Sequence, residues 1–374
     1  MSALHSATAD VRCLEGARDG APIWSSRQRF AVLGAGTALP GEPLPTDELL
    51  ERLVSRFAVD VRRRGRSLGY RLGIATRHIS RALDERFEGT RPGHTNAELA
   101  AIAVKRALKE AGARVADLAY LIAHTATPGE LVPPNVVRIA RLLNYRGPFV
   151  ELRQACTGFA NALVFAHALL ETPGSGPIAI VGSETGSVYF DPLRAAEDQG
   201  QLVNLLQMGD GAAALLLGPD TSASRQRLSQ AFFGQSSRGL RPGVRLVSGG
   251  SDVPAHRGRV PEFEHDFALV REHGMELMEW GAAAARSIAV DPRDVTYVIP
   301  HQANGRMAEL LAPRLGISPG RVFVNANRLG NTGSAAIWLA FAELRSRMKL
   351  GESVLVLGAE ATGHMFGGFR YVHG

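Results

Sequence analysis

Short apolar runs alternate along the chain with longer stretches that have helical spacing. The runs are six to eight residues long and rich in Val, Ile, Leu and Ala, which is typical of buried β-strands. This alternation predicts an α/β fold around a largely buried sheet. The predicted strands are FAVLGAG at 30–36, AYLIAH at 119–124, IAIVGSE at 178–184, AALLLG at 213–218, TYVIPH at 296–301 and SVLVLGAE at 353–360.

The second half of the chain repeats the pattern of the first. A helical stretch leads to Asp117, and a strand then ends seven residues later at His124. The same interval separates Asp294 from His301 after the later helical stretch. A shared order and a shared spacing indicate a duplicated unit.

The repeat continues through the next motif. Cys156 follows His124 by 32 residues, and Asn331 follows His301 by 30. Each is followed by Thr-Gly, by an apolar helix and by a strand that closes on a glutamate. We therefore expect two similar α/β halves related by a pseudo-two-fold axis, residues 30–220 and 221–374, after an N-terminal extension at 1–29 that is loosely ordered.

Cys156 is the first candidate for chemistry. It follows a predicted strand at Phe149–Leu152 and begins an apolar helix, so the helix dipole and free backbone N–H groups favour a thiolate and a lowered pKa. A cysteine in such a setting is more often an inert core residue. His301 at a strand end and Asn331 before Thr-Gly also have common structural interpretations, the latter as a helix cap. Their equivalent positions in the two halves favour a joint function.

Composition excludes several classes of protein. With 374 residues and 45% hydrophobic content the chain can bury a large core, but no apolar run reaches the 18 to 20 residues of a membrane span. The first 30 residues lack the apolar centre of a secretory signal, so we expect a cytoplasmic protein. Cys13 and Cys156 are the two cysteines, and we expect neither a disulfide nor a metal site.

The net charge is +6, and the densest basic run comprises Arg62, Arg63, Arg64, Arg66, Arg71 and Arg77. Such a run can bind nucleic acid, an anionic cofactor or an acidic protein, or it can be a solvated helix face. Few aromatic residues lie nearby to stack on bases. Nucleic acid is therefore not expected as a partner.

Six motifs, in order, resemble those of one family. They are GIATRHIS at 73–80, ACTGFANAL around Cys156, MGDGAAALLL at 208–217, HQANGR at 301–306, GNTGSAA around Asn331 and FGGFRY at 366–371. In these motifs residues 30–374 resemble the thiolase-fold condensing enzymes, and among them the β-ketoacyl-acyl-carrier-protein synthase III group. The resemblance implies a thiolase fold with five layers, α-β-α-β-α, and a homodimer.

The resemblance also implies a reaction and its residues. Cys156 would take an acyl group from a thioester, and His301 and Asn331 would stabilise the enolate formed when a malonyl thioester on acyl carrier protein loses CO₂. No cofactor would be tightly bound, because CoA and phosphopantetheine thioesters are the substrates. The remaining implied roles are oxyanion stabilisation by the backbone N–H groups of Cys156 and Gly367, CoA binding by Arg71, pantetheine binding by Asn304 and carrier-protein docking by Arg306.

The chain departs from the family pattern where primers bind. Ser67 stands where relatives stack a tryptophan on the CoA adenine, and Phe366, Gly367 and Gly368 replace a Gly-Gly-Gly. The segment 262–276 lacks the family's usual pattern, and Val132 lies near the position of a bulky acyl-pocket residue of the partner subunit. We therefore expect a specialised primer.

Three alternatives stay open. The acyl group could pass to a hydroxyl or an amine, or two acyl thioesters could condense without decarboxylation. Glu130 could serve as the base for such chemistry, or it could be an exposed loop carboxylate. From another class, the chain could be a non-catalytic partner subunit, although such subunits tend to lose the nucleophile.

Overall fold

The structure is a computed structural model, and it describes residues 10–13, 22–83, 93–171, 175–236, 238–254 and 263–374. The strands in this part of the chain are β1 Asp10–Cys13, β2 Pro22–Ser26, β3 Phe30–Ala38, β4 Leu44–Pro45, β5 Thr76–Arg77, β6 Tyr120–His124, β7 Phe149–Leu152, β8 Ile178–Glu184, β9 Gly211–Pro219, β10 Arg227–Gln235, β11 Val244–Leu246, β12 Phe263–His265, β13 Tyr297–Pro300, β14 Ser353–Glu360 and β15 Met365–Val372.

The helices in the same ranges are α1 Thr46–Phe57, α2 Arg62–Leu72, α3 Asn96–Ala111, α4 Asn135–Leu143, α5 Gly158–Leu170, α6 Gln199–Gln207, α7 Phe267–Ser287, α8 Met307–Leu315, α9 Ala326–Leu329 and α10 Ala336–Arg345. The predicted runs at 178–184 and 353–360 coincide with β8 and β14. In the predicted run at 296–301 the strand ends one residue early, at Pro300, so His301 lies just beyond β13.

The first half forms one mixed sheet in the order β3-β9-β8-β6-β7. β6 is parallel to both β7 and β8, whereas β9 is antiparallel to β8 and β3. Parallel neighbours carry their functional loops at one edge, because the carboxyl ends of such strands lie side by side. The turn that contains Cys156 follows β7 at this edge.

The second half repeats this order. Its strands run β10-β15-β14-β13, with β13 parallel to β14 and β15 antiparallel to both of its neighbours. An isolated parallel bridge from Val298 to Val322 occupies the position that β7 has in the first half. β10 also pairs with β3 at Arg227 and Leu228, which joins the two sheets. The predicted α/β thiolase fold of two similar halves is confirmed.

Helices α5 and α10 form the central layer between the two sheets. One apolar cluster includes Phe159 and Leu163 of α5, Trp338 and Phe341 of α10, and residues of β8, β9, β14 and β15. A helix that packs against neighbours on most sides needs apolar residues on most faces. The sequence of α5 is almost continuously apolar because the helix lies between the two sheets. The outer layers are α3 with α4 on the first sheet and α7 with α8 on the second.

The prediction of a loosely ordered extension at 1–29 is wrong for residues 10–13, which form β1, and for residues 22–26. Residues 22–26 form β2, which pairs with β10 on one side and with β1 on the other. Ile23 is buried in the core of the second half, and Trp24 packs on the ring of His167 at 5.6 Å. Two apolar side chains are too few to give a strand pattern in the sequence. Residues 1–9 and 14–21 lie outside the described residues.

None of the helices in the described ranges is long and apolar enough to cross a membrane.

Candidate active site

Cys156 lies in a tight turn between β7 and α5. The helix begins at Gly158, two residues after the cysteine, as the sequence predicts. Gln154 fastens the turn, since its Nε2 donates to Thr157 Oγ1 at 2.9 Å and its Oε1 accepts from Asn161 Nδ2 at 3.0 Å. Cys156 itself is partly buried. The thiol is thus held at a fixed point at the N-terminus of α5.

The predicted lowering of the Cys156 pKa is wrong. Burial raises the pKa of the thiol well above its usual range, and the negative charges of Glu360 and then Glu184 raise it further. The backbone N–H of Cys156 itself acts in the opposite direction and is outweighed. The sequence argument counted the helix dipole but not the two carboxylates. The resting group is therefore a protonated thiol.

Glu360 caps the N-terminus of α5 from the other half of the molecule. Thr157 makes no side-chain cap of its own. Glu360 Oε2 instead accepts from Thr157 N at 2.8 Å and Thr157 Oγ1 at 2.7 Å, and its Oε1 accepts from Ala155 N at 3.4 Å. The negative carboxylate satisfies backbone donors that a helix start leaves unpaired.

Asn331 lies in the equivalent turn of the second half, before the short 3-10 turn Gly333–Ala335 and α10. Its backbone is fixed on both sides, because Asn331 N donates to Gln207 O at 2.8 Å and its carbonyl accepts from Gly209 N at 3.0 Å. The side-chain Oδ1 accepts from Gly333 N at 3.1 Å. This bond fixes the amide plane and leaves Nδ2 as the donating end of the side chain.

His301 follows β13 directly. Its backbone N–H donates to Leu357 O of β14 at 2.7 Å, three residues before Glu360. Burial lowers the pKa of the imidazole to about 4, so the ring is neutral near pH 7. Its Nδ1 is buried without a hydrogen-bond partner among the described residues.

The two turns meet through the loop that precedes α10. Ser334 Oγ donates to Gln154 O at 3.3 Å, which links the Asn331 turn to the Cys156 turn. Ser334 also binds Glu184, with N to Oε2 at 3.0 Å and Oγ to Oε2 at 2.7 Å. The structure thus joins the loops that carry Cys156 and Asn331 at one place.

His124 occupies the position in the first half that His301 occupies in the second. Its side chain is 0% exposed, and its Nε2 accepts from Trp338 Nε1 at 3.2 Å. The sequence leaves open which of the two histidines is functional. The burial of His124 assigns it to the core.

Arg71, Asn304 and Arg306 lie where the end of α2 meets the loop between His301 and α8. Gly305 N donates to Leu72 O at 2.9 Å, and Asn304 Oδ1 accepts from Arg306 N at 2.8 Å. A Cβ at Gly305 would lie 1.9 Å from Gly73 O, so this contact requires glycine. The residues predicted to bind CoA and pantetheine, Arg71 and Asn304, and the predicted docking residue Arg306 thus lie on two segments that are in contact.

Tyr70 belongs to the same surface, and sequence reasoning missed it. Its side chain is 77% exposed, and the Arg306 guanidinium lies 5.2 Å from the centre of its ring. Arg306 Nη2 also donates to Tyr70 O at 3.2 Å. The signal available in the sequence was an aromatic residue one helical turn after Ser67.

The basic run around α2 is less available to partners than its sequence suggests. Arg62 pairs with Asp60 and Glu51, and Arg66 pairs with Asp47 and Glu51. The side chain of Arg64 donates to two backbone carbonyls, those of Ala195 and Ala196.

Arg77 is not a surface residue at all. It is 0% exposed and donates to Leu44 O, Thr46 Oγ1 and Leu206 O, and burial lowers its pKa to about 10. Arg71, by contrast, is exposed.

Two sequence motifs meet at Asp210. This buried carboxylate accepts from Ser80 N at 2.6 Å and from Ser187 N at 3.0 Å, and Asp210 N donates to His78 O at 2.8 Å. The GIATRHIS and MGDGAAALLL motifs are therefore one structural unit. It supports Gly209, whose N–H binds Asn331.

Gly367 lies inside β15, opposite Gly358 of β14 and Phe233 of β10. A Cβ at this position would lie 2.5 Å from the Cβ of Ala160 in α5. The glycine therefore allows α5 to approach the sheet. Its predicted role in an oxyanion hole stays a prediction.

Val132 and Glu130 lie on the exposed loop between β6 and α4. Val132 is 84% exposed, and Glu130 pairs with Arg138 of α4 at 3.4 Å between Oε1 and Nη1. An ion pair on an exposed loop agrees with the plainer interpretation of Glu130. Their contact with an acyl chain stays a prediction.

Two like α/β halves with a central helical layer define the condensing enzymes of the thiolase fold, and comparison with known proteins agrees. Residues 150–236 match the family 3-oxoacyl-[acyl-carrier-protein (ACP)] synthase III, and residues 285–369 match the C terminal part of the same synthase. The β-ketoacyl-[acyl-carrier-protein] synthase III of Roseobacter denitrificans is 31% identical over 335 residues, 87% of this chain and 94% of the relative. The chain belongs to the β-ketoacyl-[acyl-carrier-protein] synthase III family.

Solved structures point the same way. AbyA1, a tetronic acid condensing enzyme, has a TM-score of 0.81 and 26% identity over 92% of this chain and 99% of its own. The priming β-ketosynthase of the R1128 polyketide biosynthetic pathway has a TM-score of 0.75 and 25% identity over 93% and 97% of the two chains. The protein is therefore a condensing enzyme of the synthase III type.

Proposed function

We propose that this chain is an acyltransferase that forms an acyl-cysteine at Cys156 and condenses the acyl group with the malonyl unit of a malonyl-acyl-carrier protein. The observation that carries this proposal is the joining of the Cys156 turn to the Asn331 turn through Ser334 and Gln154. A nucleophile and an amide donor from opposite halves then face one substrate space. Family membership supports the same reaction.

In the first step the sulfur of Cys156 attacks the carbonyl carbon of an acyl-CoA. The bond to the CoA sulfur breaks, and the thiol proton ends on the departing CoA. Because burial holds the pKa of His301 at about 4, its neutral imidazole can accept and return that proton. The backbone N–H of Cys156, which already lies against its own sulfur, is a donor for the oxyanion.

In the second step the malonyl thioester loses CO₂ and the enolate carbon attacks the acyl-cysteine. The Cys156 sulfur leaves as a thiolate and takes up a proton from water. Asn331 Nδ2 and the imidazole N–H of His301 donate to the enolate oxygen. The bond from Gly333 N to Asn331 Oδ1 supports this role, because it presents Nδ2 in a fixed direction.

The substrates are CoA and phosphopantetheine thioesters, and no tightly bound cofactor takes part. Arg71, Tyr70 and Asn304 receive the CoA or pantetheine arm, and Arg306 receives the acidic carrier protein. The support is the contact between the end of α2 and the loop that follows His301.

The chain acts as a homodimer through the edge of the first sheet. β7 pairs with β6 on one side and, within the described residues, with no strand on the other. Phe149 of β7 is a large apolar side chain left exposed on this strand. A second copy added at β7 would cover an unpaired edge, which soluble proteins avoid leaving open. A 40.0 kDa monomer in size-exclusion chromatography would contradict this assembly.

The primer is a specialised acyl group, and one observation favours a second candidate function. AbyA1 is a tetronic acid condensing enzyme. Its likeness to this chain favours an acceptor other than malonyl-carrier protein. That acceptor would be a hydroxyl or amine, or a second acyl thioester that condenses without loss of CO₂.

The deciding experiment presents the protein with a panel of acyl-CoA thioesters and then with malonyl-carrier protein. Intact mass should show one acyl group per chain, in the Cys13→Ala control as well as in the natural sequence, and CO₂ should appear with the product. Product formation without CO₂ would overturn the decarboxylative reaction in favour of the second candidate. No acyl adduct with any thioester would overturn both.

A further inference from the structure

Each functional turn of the site is held by a glutamate from the opposite half. Glu360 closes β14 in the second half and binds Thr157 and Ala155 around Cys156. The residue that completes this cluster is Thr362, whose hydroxyl donates to Glu360 Oε1. The carboxylate of Glu360 thus accepts hydrogen bonds from backbone and hydroxyl donors on both of its oxygens.

Glu184 has the reciprocal place in the first half. It closes β8, and its Oε2 binds the N–H and hydroxyl of Ser334 next to Asn331. Its Oε1 accepts from the hydroxyls of Thr127 and, at 3.5 Å, Thr125. The pattern of Glu360 is thus repeated with the halves exchanged.

Both carboxylates are expensive to bury. Glu184 is 2% and Glu360 is 3% exposed, at the ends of strands whose other residues are buried. Removing a charged group from water costs several kcal/mol unless donors compensate for it. Packing alone would favour an apolar residue at both strand ends, so another requirement keeps the glutamates there.

We propose that Glu360 is a positioning residue for Cys156 and that Glu184 is its counterpart for Asn331. Each carboxylate ties the loop of one half to a core strand of the other, so the two loops cannot separate without losing buried charge-assisted hydrogen bonds. The inference rests on the proposed function for its catalytic consequences. The contacts themselves do not depend on it.

The charge of Glu360 gives this proposal a measurable signature. After burial, Glu360 is the largest cause of the raised pKa of Cys156, and Glu184 is the next. The imidazoles that end the neighbouring strands do not offset them, because burial holds the pKa of His301 at about 4 and that of His124 at about 3. The charges that raise the pKa of the thiol are thus those of Glu360 and, after it, Glu184, although burial also raises the pKa of Glu184 itself. A residue that acted only by packing would leave the titration of the thiol unchanged when its charge was removed.

The test compares Glu360→Gln and Glu184→Gln with Glu48→Gln, a control that makes the same change in an exposed i,i+4 pair with Arg52. In a Cys13→Ala background, the rate of alkylation of Cys156 by iodoacetamide is measured against pH by intact mass. Glu360→Gln should lower the midpoint by about 1 pH unit, Glu184→Gln by less, and Glu48→Gln not at all. An unchanged midpoint in Glu360→Gln would overturn the proposal.

Rates with substrate separate the two glutamates. Glu360→Gln should slow acylation of Cys156 by at least about tenfold, whereas Glu184→Gln should slow mainly the release of CO₂ from malonyl-carrier protein. Equal effects of both variants on both steps would overturn the reciprocal assignment. If the natural protein accepts no acyl-CoA, the proposed function fails, and the alkylation midpoints still decide this inference.

Glu360→Asp distinguishes the effect of the negative charge from the effect of the hydrogen bonds to the Cys156 turn. It also tests the proposal if Glu360→Gln fails to fold. The shorter side chain keeps the negative charge but cannot reach Thr157 and Ala155 together. Its alkylation midpoint should stay within about 0.3 pH units of the natural protein while acylation slows by at least about tenfold. Acylation at the natural rate would overturn the positioning role.

Discussion

His124 and His301 occupy equivalent places in the two halves, and their surroundings differ. His124 is fully buried against Trp338, whereas His301 is partly exposed on the loop that leads to Arg306. Burial lowers the pKa of both rings, to about 3 and about 4. The two halves carry a histidine at equivalent positions, and the packing around each decides which ring stays accessible.

The Thr-Gly pairs that follow Cys156 and Asn331 give the same lesson. A Cβ at Gly158 would lie 2.5 Å from His124 Nδ1, and a Cβ at Gly333 would lie 2.5 Å from Glu184 Oε2. Both turns thus require glycine, one against a core imidazole and the other against a bracing carboxylate. Equal sequence in the two halves does not mean equal contacts.

The largest effect is expected at the nucleophile. Cys156→Ala should lower the rate of condensation by at least about 10³-fold, because the acyl-cysteine cannot form. The rate of β-ketoacyl product formation measures this, with Cys13→Ala as the matched control. Substantial condensation by Cys156→Ala would mean that another group carries the acyl chain.

The two histidines should separate in the next experiment. His301→Ala should slow CO₂ release from malonyl-carrier protein by about 10²- to 10³-fold, through loss of a donor to the enolate. His124→Gln should keep CO₂ release within about threefold and lower the free energy of unfolding by about 1 to 3 kcal/mol, through loss of buried packing. A loss of CO₂ release larger than threefold in His124→Gln would contradict the assignment of His124 to the core.

A smaller effect is expected from Gly333→Ala. Gly333 has φ +50° and no room for a Cβ beside Glu184, so alanine should lower the free energy of unfolding by about 1 to 3 kcal/mol. Urea unfolding measures the change. Gly320→Ala is the control, since a Cβ there would meet no atom closer than 3.8 Å.

The smallest effect concerns pH and again involves His124. Above pH 6.5 the ring is neutral in both the folded and the unfolded chain. Below pH 6.5 the unfolded chain takes up a proton that the buried ring, with its pKa of about 3, does not, so the free energy of unfolding falls as the pH falls from 6.5 towards about 3. Comparing His124→Gln with the natural protein at several pH values between 7 and 5 should show a shallower fall in the variant.

The sequence predicted the fold because its signals were periodic and repeated. Buried strands such as Ile178–Glu184 and Ser353–Glu360 are nearly continuous apolar runs in the sequence. The motif spacings that recur in the second part of the chain predicted two similar halves. It missed β2, where Ile23 and Trp24 are the apolar residues of a five-residue strand. A short strand of this kind depends on a partner that is distant in sequence, here β10.

The sequence predicted where the candidate site residues lie better than it predicted the pKa of Cys156. Spacing placed Cys156 and Asn331 in equivalent turns, which the structure joins through Ser334. The direction of the Cys156 pKa shift was wrong, because it depends on Glu360 and Glu184, which reach the site from the ends of other strands. Contacts between residues that are 150 and 203 positions apart leave no local pattern.

The central claim is that the first half supplies the nucleophile and the second half supplies the groups for the second step. Intact mass of Asn331→Ala, loaded with an accepted acyl-CoA and then mixed with malonyl-carrier protein, tests it most directly. The claim predicts that the acyl group on Cys156 forms at near the natural rate and then persists. An adduct that is consumed as fast as in the natural protein, or that never forms, would contradict it.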